Sequence, residues 1–294
     1  MTIKKAVIPA AGFGTRFLPA SKAIPKELLP IVDKPTIQYI AEEAIATGIT
    51  QVILVTGREK GSIEDHFDIS FELEHHLRSK GKTELLRMVQ RISEMVQIVS
   101  VRQKMPLGLG HAILCAKQVV GNHPFAVLLA DDIVDADPPC LRQMIDVYNT
   151  LGKGIVLAIK EVPVTDVYQY GIIDGKRIDD RLFEVKSLVE KPAVEEAPSN
   201  LAVIGRYLLP PEIFEVLETL PPGKGGEIQL TDAIAKLGES YPIYGYRFAG
   251  DRFDAGDKMG FFEANVRFGL KHPELGPRIS DFLLKVAEEL EKTE

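Results

Sequence analysis

Short, wholly apolar runs alternate with longer amphipathic stretches over the first 160 residues. This alternation predicts strands buried on both faces and separated by helices. Lys5-Ala6-Val7-Ile8-Pro9 reads as the first buried strand. Ile37, Ile40, Ala41, Ala44 and Ile45 then fall at helical spacing within 36–47, and Gly48 can end the run. Gln51-Val52-Ile53-Leu54-Val55 is a second strand. A β-loop-α-β start predicts a parallel sheet, because parallel neighbours need a crossover. Further strands are expected at 96–101, 124–129 and 154–160, with helices over 109–119 and 138–150. Residues 59–96 are highly charged, with apolar positions at helical spacing, and predict a helical insertion broken near Gly81. Beyond residue 160 the pattern is mixed. Two short strands within 170–189 flank a hairpin-like turn signal, Asp174-Gly175. Strands follow at 201–208 and 243–248, and helices at 210–220, 228–237, 258–270 and 277–292. The fold expected is α/β: a Rossmann-like, mostly parallel mixed sheet flanked by helices, with a helical insertion and a smaller mixed part. The stretch 192–200, with Glu195-Glu196 and Pro198, is the best candidate for a mobile loop.

Composition narrows the class. Of 294 residues, 45% are hydrophobic and 26% charged, which supports a sizeable core and argues against disorder. No apolar run reaches the roughly 18–20 residues that span a bilayer, so no membrane association is expected. The N-terminus runs directly into a strand and lacks signal-peptide features, so a cytoplasmic protein is expected. Cys115 and Cys140 are the only cysteines, which excludes a disulfide framework, and Cys115 on an apolar helix face reads as core. The six histidines form no metal cluster; His75 and His76 are adjacent, point apart on a helix and read as solvated. A net charge of −7 argues against nucleic acid as a partner. Against that background, residues 1–30 carry Lys4, Lys5, Arg16, Lys22 and Lys26 with one acid, Glu27, a local net charge of +4. That excess suits a small polyanion such as a nucleotide; a basic surface patch explains it too.

The candidate chemistry starts at the glycine-rich loop after the first strand, where backbone N–H groups can meet phosphate oxygens. Gly12-Phe13-Gly14-Thr15-Arg16-Phe17 begins like a dinucleotide fingerprint, but Phe17 stands where the third glycine belongs. A dehydrogenase is therefore disfavoured, and no Lys-Ser/Thr follows at P-loop spacing. A tight structural turn would also use two glycines. Asp131-Asp132 ends a buried strand, the position where ligands gather in open α/β sheets. Mg²⁺ takes one or two carboxylates and completes its shell with water and phosphate oxygens.

The longer stretch is more specific. Ala10-Ala11-Gly12-Phe13-Gly14-Thr15-Arg16-Phe17-Leu18-Pro19 is followed by Ser21-Lys22 and by Pro25-Lys26-Glu27-Leu28-Leu29-Pro30. This resembles the signature of the sugar-1-phosphate nucleotidylyltransferases, and in detail the bacterial group that joins UTP to glucose 1-phosphate. Similar stretches continue along nearly the whole chain. They include Gln103 with Gly108-Leu109-Gly110-His111-Ala112, Leu129-Ala130-Asp131-Asp132, Tyr170-Gly171-Ile172 and Val189-Glu190-Lys191-Pro192. Gly225-Gly226-Glu227-Ile228-Gln229-Leu230-Thr231-Asp232 and Phe253-Asp254-Ala255-Gly256 complete the set. Two departures stand out: Ser21 where threonine is commoner, and Lys104-Met105-Pro106-Leu107 after the glutamine, beside the base site.

The resemblance implies one nucleotidyltransferase domain over 1–294. About 1–160 would bind nucleotide, and about 161–294 would bind the sugar phosphate and carry the C-terminal helices. It implies transfer of uridylyl from UTP to glucose 1-phosphate, with Mg²⁺ as cofactor, in a homo-oligomer (dimer or tetramer). Sister enzymes using thymidylyl or adenylyl groups, and a non-catalytic nucleotide-sugar sensor, are the alternatives. Arg16 would reach the β- and γ-phosphates, Lys26 the α-phosphate, and Asp131 and Asp254 would hold the metal. Asp132 is counted with the substrate-binding residues, although a helix cap or an acceptor behind Asp131 reads it without a ligand. Ala10, Ala11, Gly12, Gly14, Thr15 and Glu27 would line the nucleotide, with Gln103 and Gly108 at the base. Gln103 is expected to meet uracil with both its donor and its acceptor. Gly171 would admit the sugar ring, Glu190 would bind its hydroxyls and Lys191 its phosphate, although a turn glycine and an edge-strand ion pair read the same residues without a ligand.

Overall fold

The computed structural model describes residues 2–292. β1 (Lys5–Ala10) runs into the glycine-rich loop, whose three 3₁₀ turns lead to a small hairpin, β2 (Pro30–Ile31) and β3 (Lys34–Pro35). α1 (Thr36–Ala46) crosses to β4 (Gln51–Thr56). The insertion is α2 (Gly61–Phe67), α3 (Phe71–Ser79) and α4 (Thr83–Glu94), followed by β5 (Gln97–Arg102). Next come α5 (Leu109–Cys115), α6 (Lys117–Val120), β6 (Phe125–Leu128), β7 (Asp132–Asp135), α7 (Cys140–Leu151) and β8 (Ile155–Glu161). The second half contains β9 (Gly171–Arg177), β10 (Leu182–Glu190), β11 (Leu201–Leu209), α8 (Ile213–Thr219) and α9 (Leu230–Leu237). It closes with β12 (Ile243–Arg247), β13 (Asp251–Asp254), α10 (Lys258–Lys271) and α11 (Gly276–Glu291).

Nine strands form one mixed sheet in the order β5-β4-β1-β6-β11-β8-β12-β10-β9, and β9 also pairs with β11. β5, β4, β1 and β6 are mutually parallel, so their carboxyl ends share one edge. β11 enters antiparallel between β6 and β8, which makes the sheet mixed at its centre. Alternation of period two explains the burial of β1 on both faces. Ala6 and Ile8 pack on one side with Ile37, Ile40 and Met144 of α1 and α7. Val7 packs on the other with Ile113, Phe214 and Ile234 of α5, α8 and α9. A separate two-stranded ladder joins β13 to β7, pairing Asp254 with Asp132.

Three expectations change. The turn between β9 and β10 lies at 178–181, and Asp174-Gly175 sits inside β9 opposite a register shift between Val185 and Ser187. Asp179 makes the actual turn: its carboxylate accepts the backbone N–H groups of Arg181 and Leu182, each at 2.7 Å. The expected 109–119 helix breaks at Ala116 into α5 and α6. The insertion has two breaks, with the second at 68–70 in addition to that near Gly81. His75 and His76 are exposed, Cys140 is buried, and Cys115 is partly buried at the edge of the core. Within 192–200, a 3₁₀ turn spans Val194–Glu196, and Ser199 donates to the Ile173 carbonyl at 2.6 Å. Among the described residues no helix is long and apolar enough to cross a membrane.

Candidate active site

The glycine-rich loop leaves the end of β1 and is shaped by its own contacts. Gly14 has φ of +66°, and its carbonyl accepts the Ser21 hydroxyl at 2.7 Å. This serine is one of the two departures in the motif, and it works here as a loop clamp. Arg16 is exposed, makes no ion pair among the described residues, and lines a 200 Å³ cavity with Lys26, Asp131 and Gly256. An adjoining 500 Å³ cavity is lined by Ala11, Gly12, Gly14 and Thr15 on one side and Gln103, Gly108 and Asp131 on the other. Ala10 is buried at the strand end. The local positive charge divides by role. Lys4 donates to Gly48 O and Lys5 to the carbonyls of Val119 and Val120, so both cap helix ends. Arg16, Lys22 and Lys26 remain as cavity-lining cations.

Lys26 and Asp131 meet across the cavity floor, Nζ to Oδ2 at 2.5 Å. Burial opposes the charge on each, but each more than offsets that for the other. The Lys26 pKa is raised and the Asp131 carboxyl is held below its ordinary value. The pair is therefore a fixed cation beside a fixed anion. Asp131 O accepts the Ala255 N–H at 2.7 Å, which draws the end of β13 alongside. A Cβ placed on Gly256 would lie 2.6 Å from Asp131 Oδ2 and 3.0 Å from Asp254 Oδ1. Two carboxylates thus face one small space that only glycine leaves open. That donor set, all oxygen and open on one side, fits a hard divalent cation whose other ligands are water and phosphate. No cluster of three or more His, Cys, Asp or Glu side chains placed to hold a metal ion exists among the described residues.

Asp132 has a different task. It is buried, accepts from Arg252 Nε, and takes the Gly205 N–H at 2.9 Å. Arg252 also reaches Asp254 at 3.2 Å and the Tyr170 hydroxyl at 3.1 Å. Behind them Arg206, wholly buried, forks onto Glu43 of α1 and donates to Asp132 O at 2.7 Å. A register shift between Val203 and Tyr207 in the β11–β8 pairing brackets Gly205 and Arg206. Between the alternatives for Asp132, this geometry makes it an acceptor that orients its neighbours.

The base side of the cavity changes one expectation. Gln103 Nε2 lies 3.1 Å from Gly108 O and 3.0 Å from His111 Nδ1. Both amide hydrogens are engaged, so Gln103 offers a ligand only its carbonyl, not a donor and an acceptor together. Gly108 (φ +98°) lies close against the 227–228 segment: an added Cβ would come within 2.7 Å of Glu227 Cβ. Ile228 ties that segment to Leu107 and Gly110 by backbone hydrogen bonds at 2.8 Å each. Glu27 is 1% exposed; Lys60 donates to its Oε2 at 2.7 Å, while its Oε1 has no hydrogen-bond partner among the described residues.

The third group gathers at the β9–β10 end. Gly171 pairs in register with Glu190. A Cβ on Gly171 would meet Thr231 Oγ1 at 3.3 Å and Glu190 Oε2 at 3.4 Å. Lys191 adopts φ of +46°, which breaks the strand, and its Nζ stands 3.6 Å from Glu190 Oε1. The two side chains therefore share one side rather than alternating. Lys191 N–H donates to Tyr170 O at 2.9 Å, so Tyr170 links this group to Arg252. Arg252, Tyr170, Thr231, Glu227 and His111 were not singled out from the sequence, although the last four lie inside the quoted motifs.

A glycine-rich loop and a cation–carboxylate pair at the carboxyl edge of a mixed sheet, with a second carboxylate beside them, characterise a nucleotidyl-transfer fold. The profile of the nucleotidyl transferase family matches residues 5–269, and the chain belongs to that family. It is 53% identical over 281 residues to the UTP–glucose-1-phosphate uridylyltransferase of Staphylococcus epidermidis, covering 96% of this chain and 97% of that one. Among solved structures, the UTP-bound UGPase from Acinetobacter baumannii superposes with a TM-score of 0.90 at 48% identity, covering 96% and 99% of the two chains. A UDP-glucose pyrophosphorylase complexed with UDP-glucose gives 0.85 at 46% identity, covering 92% and 100%.

Proposed function

We propose that this protein transfers the uridylyl group of UTP to glucose 1-phosphate, forming UDP-glucose and pyrophosphate. The observation that carries the reading is the Lys26–Asp131 pair on the floor of a cavity whose rim holds the glycine-rich loop and Gln103. The likeness to uridylyltransferases over nearly the whole chain supports the choice of substrates.

The chemistry asks little covalent work of the protein. The attacking oxygen of a phosphate monoester is already largely anionic at neutral pH, with a second pKa near 6, so no general base is needed. Arg16 receives the β- and γ-phosphates, where charge grows as pyrophosphate departs, and Lys26 faces the α-phosphate. Backbone groups of Ala11, Gly12 and Gly14 and the Thr15 side chain hold the triphosphate in line. Gln103 Oε1 accepts the uracil N3–H, and Gly108 closes the base pocket. On the facing side Lys191 binds the sugar phosphate, Glu190 accepts sugar hydroxyls, and Gly171 leaves room for the ring. Mg²⁺, held by Asp131 and Asp254, would neutralise charge on the phosphates. The sheet divides accordingly, with about 1–160 serving the nucleotide and about 161–294 the sugar phosphate. Glu27 belongs to this scheme as a support: paired with Lys60, it fixes the backbone beside Lys26.

A cytoplasmic setting belongs to the same reading, since both cysteines are free thiols. So does a homo-oligomer, a dimer or tetramer, as the resemblance to the family implies. The test is product formation. UDP-glucose, identified by anion-exchange chromatography and mass, is expected only when UTP, glucose 1-phosphate and Mg²⁺ are all present. Formation of UDP-glucose in excess chelator would remove the metal from the scheme, and no UDP-glucose from the complete mixture would remove the reaction.

A further inference from the structure

The contacts of Gln103 decide which way its amide points. A backbone carbonyl oxygen can only accept, so the Gln103 atom 3.1 Å from Gly108 O is the nitrogen. The same nitrogen is 3.0 Å from His111 Nδ1, and having a second hydrogen to give, it donates there too. His111 Nδ1 is therefore the acceptor, and the neutral ring carries its proton on Nε2. With both hydrogens engaged, Oε1 is the group left over, and it accepts nothing among the described residues. Gln103 is 7% exposed and lines the cavity, so the side chain has little freedom to reorient.

His111 is itself held in place. It sits in the first turn of α5, whose start is pinned because Gly110 N–H donates to Ile228 O at 2.8 Å. A Cβ on Gly110 would fall 2.7 Å from that oxygen, so the helix start and the 228 backbone are in close contact. The ring thus approaches Gln103 from a fixed direction, across the five-residue loop 104–108.

We propose that His111 is a positioning residue for base selection: by taking the second N–H of Gln103 it keeps Oε1, and not the amide nitrogen, facing the nucleotide base. This rests on the reading above that Gln103 meets the base. An amide held this way welcomes a base that presents an N–H, as uracil does at N3. It opposes one that presents a lone pair there, as cytosine does. Without His111 the amide keeps a single anchor, Gly108 O. The turned-over amide, which would suit cytosine, becomes more accessible by about the worth of one neutral hydrogen bond.

The test compares kcat/KM for UTP and CTP in the unmodified protein and in Gln103→Ala, His111→Leu and His111→Asn. CTP is also measured as a competitive inhibitor against UTP. Asparagine offers an amide oxygen near the place of Nδ1, whereas leucine offers none. His111→Leu should narrow the UTP/CTP ratio roughly five- to tenfold, about what one neutral hydrogen bond allows, and His111→Asn should restore most of it. A ratio unchanged in His111→Leu, with Gln103→Ala lowering it, overturns the role of His111 and leaves the base reading intact. Equal losses in the leucine and asparagine variants also overturn it, since they would report damage to α5 alone. An unchanged ratio in Gln103→Ala removes the base reading and the inference with it. Should His111→Leu fail to fold, ¹⁵N NMR of the unmodified protein decides: the His111 ring is expected as the Nε2–H tautomer, and a proton on Nδ1 contradicts the proposal.

Discussion

Lys26 and Asp131, 105 residues apart in sequence, meet at 2.5 Å, so a cation from the loop after β1 occupies a carboxylate oxygen beside Gly256. In the proposed reaction Lys26 would thus both help the phosphates and compete for the metal carboxylate. The two roles predict opposite effects of one substitution. Lys26→Met should lower kcat about 100- to 1,000-fold, as loss of an electrostatic catalytic group does. The same variant, free of nucleotide, should bind Mn²⁺ or Mg²⁺ more tightly than the unmodified protein by calorimetry. Weaker metal binding in Lys26→Met would show that Lys26 does not compete at Asp131.

Gly256 is predicted to be required for its lack of a side chain. The Cβ of Gly256→Ala would stand 2.6 Å from Asp131 Oδ2 and must push that carboxylate aside. Displacing a reacting group by about 1 Å costs on the order of 100-fold. Steady-state rates at rising Mg²⁺ should show a lower kcat and a higher Mg²⁺ requirement, with an unchanged melting temperature. Full activity would mean that Asp131 and Asp254 do not share a ligand.

Arg206 carries a stability prediction. Its guanidinium is fully buried on Glu43, so Arg206→Met strands a buried carboxylate. The expected loss is about 3–5 kcal/mol in urea unfolding. Glu43→Gln combined with Arg206→Met should recover part of it, because the unpaired charge is then gone. A single variant within about 1 kcal/mol of the unmodified protein would contradict the buried-pair reading.

Lys191 should separate the two substrates. Lys191→Ala is expected to raise KM for glucose 1-phosphate about 10- to 100-fold, the worth of a hydrogen bond to a charged group, and to leave KM for UTP nearly unchanged. Equal changes in both would move Lys191 away from the sugar phosphate.

How much of this was legible depended on whether a feature is local. The buried strands, the glycine-rich loop and Asp131 at a strand end follow from short-range pattern, and the structure places them as expected. β7 and β13 have only four residues each and an aspartate at both ends, so they show no alternation to read. Asp174-Gly175 carries a turn signal, but pairing with β10 on both sides of the bulge keeps it extended, and Asp179 supplies a better turn five residues on. Arg206 lies in an apolar strand, and its partner Glu43 is 163 residues away. No spacing rule connects them. Gln103 lines the cavity, but the direction of its amide depends on Gly108 and His111, whose contacts with it no sequence spacing reveals.

The most direct test is a pyrophosphate-release assay with UTP, dTTP, CTP and ATP, each with glucose 1-phosphate and Mg²⁺. With UTP, release should require the sugar phosphate and stop in excess chelator. ATP and CTP should be lower in kcat/KM by about 10⁴-fold, because where uracil presents its N3–H they present a ring-nitrogen lone pair to the fixed Gln103 carbonyl. dTTP should be poor but measurable, since one extra methyl is worth only about 1–3 kcal/mol. Release from ATP or CTP at a rate matching UTP, or release from UTP without glucose 1-phosphate, would contradict uridylyl transfer as the reaction of this site.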